Sequence, residues 1–142
     1  MLYWMGLSFA DLALMHEGDL GNPGHDPAAL CGYPTSAACR LHVFSGCLAW
    51  MARGGTRACG VANWELEWLE ELKVAKVRGD LEMLPAVVQL KFHPHQSLAS
   101  PRIKAIYDFC VENEIVFNGC ECDLLQTATR SCKRHASNVS RI

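Results

Sequence analysis

An α/β fold with a parallel sheet is the class this sequence predicts, and three observations predict it. Apolar stretches of strand length alternate with amphipathic stretches of helix length, in the order strand, long loop, helix, strand, helix, strand, helix, strand. The first strand candidate is a near-continuous apolar run of the kind buried on both faces. The helix candidates are punctuated by capping residues, proline and glycine.

The first strand spans Phe9 to Met15, and Gly6 ahead of it suits the end of a preceding helix. From Glu17 to Cys39 the chain is rich in Gly, Pro, Asp and Ser, including Asn22-Pro23-Gly24 and Asp26-Pro27, and reads as a long surface loop. Loops of that length are functional or disordered as a rule. A helix from about Arg40 to Arg53 stops at Gly54-Gly55, and a short strand follows over Arg57 to Val61. Asn63 is well placed to cap the next helix, with Glu65 and Glu67 where the helix dipole favours negative charge. Leu66, Leu69, Leu72 and Lys76 recur there at helical spacing, and the helix runs to about Arg78. Ala86 to Phe92 is the third strand. Ser100-Pro101 opens a helix with a cap residue before a proline at the first helical position. Its apolar stripe is Ile103, Ile106, Phe109 and Cys110, Asn113 ends it, and Ile115 to Gly119 is the fourth strand. Leu124 to Ile142 is polar, basic and weakly periodic, and no internal repeat is found.

A chain of 142 residues with 50% hydrophobic content has the size and composition of one globular domain. Lys plus Arg number 13 against 15 Asp plus Glu, with no basic stripe, which excludes nucleic acid and an anionic membrane surface as expected partners. No apolar run reaches the roughly 18 residues a membrane span needs. Met1 to Met15 lacks a basic start and a cleavage site and holds Asp11, so it is not read as a secretory signal; a soluble cytoplasmic protein is expected. The eight cysteines form no CxxC pair and several fall in apolar segments, which predicts buried free thiols rather than a disulfide framework.

Chemistry in a (β/α) barrel sits at the C-terminal ends of the strands. The residues that follow the strands here are His16, Asn63, the pair His93 and His95, and the trio Cys120, Glu121 and Cys122. Each has a plain structural explanation beside a functional one. A histidine after an apolar strand is more often structural than catalytic. Asn63 can be a helix cap, and Gln89 a polar residue bonded inside a barrel.

Taken together, these segments resemble the aldo-keto reductases. Phe9-Ala10-Asp11-Leu12-Ala13-Leu14-Met15-His16 is similar to the family's D-L-x-L-x-H strand end, and Arg57-Ala58-Cys59-Gly60-Val61-Ala62-Asn63-Trp64 to R-A-I-G-V-S-N-F. Pro85 to Pro94 is similar to P-x-V-N-Q-x-E-x-H-P, and Phe109-Cys110 to Ile115-Val116 to F-C-x-x-x-x-I-x-V. The matched stretch covers residues 9 to 119 of a single domain spanning 1–142; residues 120–142 form an irregular, weakly matching tail. The resemblance implies a partial (β/α)8 TIM barrel, roughly strands four to seven with their helices. It implies hydride transfer between NADP(H) and a small-molecule carbonyl, with the cofactor supplying the redox chemistry. His16 matches the histidine that orients and polarises the substrate carbonyl. Asn63 and Gln89 match side chains that hold the nicotinamide carboxamide, which fixes the face from which hydride leaves.

The departures from the family's pattern carry their own implications. Its proton-donating tyrosine, with the lysine and aspartate that support it, comes from earlier strands than those matched, and Tyr3, Tyr33 and Tyr107 lie outside that motif. Glu17-Gly18 replaces the usual Trp-Pro. Ala62 stands where the family has a serine, at a cost of about 1 kcal/mol for one hydrogen bond. Cys120 takes the cofactor-binding position of a tyrosine that stacks on the nicotinamide. His135 to Arg141 is loosely similar to the K-S-x-x-x-x-R segment that binds the 2′-phosphate, and only Arg141 matches. Gly119 to His135 is too short for a helix plus another strand.

Three functional expectations follow. The first is an oxidoreductase of aldo-keto reductase type represented by a fragment, weak or inactive alone. The second is a non-catalytic module that binds or regulates another protein, self-associating through its open barrel edges. The third is a small zinc site from His93, His95, Cys120 and Cys122, whose HxH and CxC spacings are not specific for zinc.

Overall fold

Helix ends fall where local chemistry puts them. In the computed structural model, which describes residues 6–16, 32, 35–92 and 100–120, Ser100 accepts from the Ile103 N–H and Pro101 starts a helix that stops at Asn113. Thr35 caps an earlier helix by accepting from the Ala38 N–H at 3.1 Å. The elements are β1 (Ala13–His16), α1 (Ser36–Ala52), β2 (Cys59–Ala62), α2 (Leu66–Arg78), β3 (Val87–Lys91), α3 (Pro101–Glu112) and β4 (Val116–Cys120). The four strands form one parallel sheet in the order β1-β2-β3-β4, as the alternation predicts. Among the described residues, no helix is long and apolar enough to cross a membrane.

Side chains alternate across a strand, so the register sorts the sheet into two faces. Val61 and Val88 are fully buried against the helices, in one cluster with Phe44, Leu69, Leu72, Ile106 and Cys110. The stripe predicted for α3, Ile103, Ile106, Phe109 and Cys110, is buried throughout. On α2 the stripe closes with Ala75, while Lys76 is exposed. On the opposite face of the sheet His16, Lys91, Val116 and Asn118 are exposed and Leu14, Val87 and Gln89 partly so, while Gly60 and Ala62 of β2 are buried.

Several expectations change. The first strand starts at Ala13, not Phe9: Ala10 makes an isolated bridge to Thr56, and Asp11 turns outward to pair with Arg57 at 3.0 Å, which interrupts the ladder. Among the described residues that strand pairs on one side only, with β2, and its residues are half-buried to exposed. Helix α1 starts at Ser36 rather than Arg40, because Thr35 provides the cap. Arg40 instead sits inside, 6% exposed, forked onto Glu71 of α2 at 2.7 and 2.9 Å with its guanidinium over the Trp68 ring. That pairing locks α1 to α2.

The cysteine expectation is corrected. Cys47 of α1 and Cys59 of β2 form a disulfide across a Cα separation of 6.1 Å, and Cys39 is also disulfide-bonded; Cys110 and Cys120 are free. Cys47 faces the core from α1 and Cys59 faces it from β2, so packing brings the two sulfurs together.

Candidate functional site

Parallel pairing aligns the strand ends. His16 of β1 is paired with Ala62 of β2, Ala62 with Gln89 of β3, and Gln89 with Asn118 of β4. These four positions share the face turned away from the helices, near the C-terminal end of the sheet.

Asn63 follows β2 and closes the group. It does not cap α2: the cap residue is Glu65, whose side chain makes no capping hydrogen bond. Asn63 adopts a left-handed backbone, φ 57°, which asparagine tolerates better than most residues. Its N–H donates to the Gln89 carbonyl at 2.9 Å, fixing the end of β2 against β3. Its side chain then reaches across the rim. Nδ2 lies 3.3 Å from His16 Nε2, and Oδ1 accepts from the Lys91 N–H at 3.4 Å. Nδ2 can only donate, so in this contact His16 Nε2 is the acceptor.

Trp64 supports this arrangement and was not singled out from the sequence. Its indole N–H donates to the Met15 carbonyl at 3.0 Å while the ring is buried, so the chain leaving β2 is pinned to the residue before His16. Its signal was available: it occupies the aromatic position that ends the R-A-x-G-V-x-N-x stretch. Glu65 is held by Arg102 of α3 through two short hydrogen bonds, 2.5 and 2.6 Å, and that bond to Glu65 pushes the guanidinium pKa further up. The connection between β2 and α2 is thereby tied to the start of α3. Asn118 also escaped sequence reading, because only the register places it in the row with Gln89.

Of the other predicted site residues, Cys120 ends β4 as a free, half-buried thiol in register with Lys91. Arg141, His93, His95, Glu121 and Cys122 lie outside the described residues. Among the described residues, no group of three or more metal-ligating side chains converges. Tyr107 is half exposed on α3, its ring edge-on to Phe117, and so sits away from the rim.

Solved structures similar to this chain include aldo-keto reductases. One complexed with NADPH is 23% identical, covering 84% of this chain and 31% of its own, with a TM-score of 0.59. The Brucella melitensis enzyme is 18% identical over 95% of this chain and 44% of its own, TM-score 0.58. A Bombyx mori aldo-keto reductase in complex with NADP is 18% identical over 84% and 33%, TM-score 0.58. Neither known family models nor curated proteins give a match. The chain therefore has the aldo-keto reductase fold over part of the barrel, spanning less than half the length of these structures.

Proposed function

We propose that this chain supplies the part of a carbonyl-reducing, NADPH-dependent site of aldo-keto reductase type that orients substrate and nicotinamide. The observation that carries the reading is the meeting of His16 and Asn63 at 3.3 Å on the rim where Gln89 also lies. The residues suit a nicotinamide carboxamide, which offers one acceptor oxygen and one donor NH2. The Gln89 side-chain amide makes no hydrogen bond to a described residue, and both side-chain contacts of Asn63 are long, so either amide can be turned to such a ligand at little cost. Once bound, the nicotinamide would supply the hydride.

The chain's own residues would do the positioning. Gln89 and Asn63 would hold the carboxamide, and His16, beside Asn63, would donate a hydrogen bond to a substrate carbonyl oxygen. The titratable side chains on the described rim are His16, Lys91 and Cys120, none of them a tyrosine. Turnover by this chain alone is accordingly expected to be weak, with binding the clearer signal.

Titration of the 142-residue chain with NADPH, followed by nucleotide fluorescence, tests the reading. Binding is expected, weakened roughly tenfold or more by Gln89→Ala through loss of a hydrogen-bonding partner for the carboxamide. Any aldehyde reduction should vanish in His16→Ala. The absence of a fluorescence change, or binding indifferent to Gln89→Ala, refutes it. A second reading, a non-catalytic module that binds protein, is favoured by the exposed Val116, Asn118 and Lys91 on the sheet face turned away from the helices.

A further inference from the structure

The turn that carries Asn63 is fixed from three sides. Its backbone is left-handed at Asn63, φ 57°, and extended at Glu65, φ −82° and ψ 160°, before α2 begins at Leu66. A left-handed residue other than glycine costs free energy and persists where its surroundings over-determine it. Here three elements do so. The Asn63 N–H is held by the Gln89 carbonyl of β3 at 2.9 Å. The Trp64 indole N–H is held by the Met15 carbonyl of β1 at 3.0 Å, with the ring buried in the core. The Glu65 carboxylate takes two hydrogen bonds from the Arg102 guanidinium of α3, one on each oxygen, at 2.6 and 2.5 Å.

The third anchor serves neither its helix nor the stability of the whole fold. Glu65 stands at the cap of α2, where a side-chain oxygen ordinarily accepts from the first helical N–H groups. Its carboxylate makes no such bond and is turned to Arg102 instead. Arg102 and Glu65 are 48% and 37% exposed, and ion pairs so open to water add little to global stability. What the two-pronged pair does fix is the direction of the chain two residues after Asn63. Trp64 fixes the same turn against the residue before His16. We infer that Arg102 and Trp64 are positioning residues of the proposed site: they tie the chain beside Asn63 to α3 and to β1, hold its left-handed turn, and so keep its amide against His16. Their effect on nucleotide rests on the reading of that rim as a nicotinamide site.

A double-mutant cycle on the whole chain tests this. Arg102→Met keeps most of the side-chain length and removes the fork; Trp64→Phe keeps an aromatic ring and removes the N–H donor. Each should weaken NADPH binding by about threefold to tenfold with far-ultraviolet dichroism kept. Asn63→Gly puts a residue at home in the left-handed region and removes the amide. In that background Arg102→Met should weaken binding no further, because the group it positions is gone. Equal losses in both backgrounds, or no loss in either, overturn the inference. Hydrogen exchange without nucleotide is the second readout: the Asn63 N–H should exchange roughly tenfold faster in Arg102→Met, while amides within α1 and β3 keep their rates. An unchanged Asn63 rate, or acceleration throughout the sheet, also overturns it. Failure of NADPH to bind the unmodified chain would refute the proposed function instead, and exchange would still decide whether Arg102 holds the turn.

Discussion

Replacing both Cys47 and Cys59 with alanine tests how the sheet is held to its helices. The bond joins α1 to β2 across a sequence separation of 12, and both residues are almost fully buried. Closing a loop of that length removes entropy from the unfolded chain worth about 3 kcal/mol. Loss of the two packed sulfurs adds about 1 kcal/mol. Domains are stable by only about 5–15 kcal/mol, so this is a large share of the total. At a urea dependence of roughly 1.5–2 kcal/mol per molar, the midpoint of the double variant should fall by about 2 M under non-reducing conditions. The variant is preferable to a reductant, which would also open the disulfide of Cys39. Peptide mapping of the non-reduced original should recover Cys47 and Cys59 cross-linked. An unchanged midpoint, or both cysteines recovered as free thiols, would refute the reasoning.

Three further outcomes follow from packing and burial. Gly60→Ala should destabilise by about 1–3 kcal/mol, because its new Cβ would lie 2.6 Å from the Val87 carbonyl oxygen and 2.7 Å from Leu14 Cδ2, and the backbone atom cannot step aside; a thermal midpoint equal to the original would contradict this. Burial pushes the Cys110 thiol up to about 11 from 9.0, so at pH 8 iodoacetamide should label Cys120 and spare Cys110 in the native protein. Since the folded value lies above the unfolded one, the neutral thiol's contribution is complete below pH 9 and is lost as pH rises towards 11. Denaturation at pH 8 and pH 10 should show that slope, and Cys110→Ala should remove its share of it.

The rim shows how far residues can be placed before their neighbours are known. His16 and Asn63 were legible as residues at strand ends, because apolar runs end where polar residues begin, and Gln89 as a polar residue inside the third strand. Their grouping was not, since it depends on a register set by hydrogen bonds between strands about 30 to 50 residues apart. Asn63 makes the difference plain. Locally it has the chemistry of a helix cap, yet its left-handed backbone turns it towards His16, and Glu65 takes the cap position. The disulfide was hidden for a similar reason. Nothing in the spacing of Cys47 and Cys59 shows that helix and strand bury them against each other.

The sequence by itself determined the type and order of the elements, the caps at Ser100 and Asn113 and the buried stripe of α3. Those features arise from interactions within a few residues of chain, where periodicity and capping chemistry are sufficient. Only the tertiary structure decided that Arg40 is buried on Glu71 and Trp68, that Trp64 pins the strand before His16, and that Asn118 joins the register row of Gln89. Each joins groups distant in sequence, and the energy that selects it, desolvation of a shared interior, exists only once the sheet and its helices have come together.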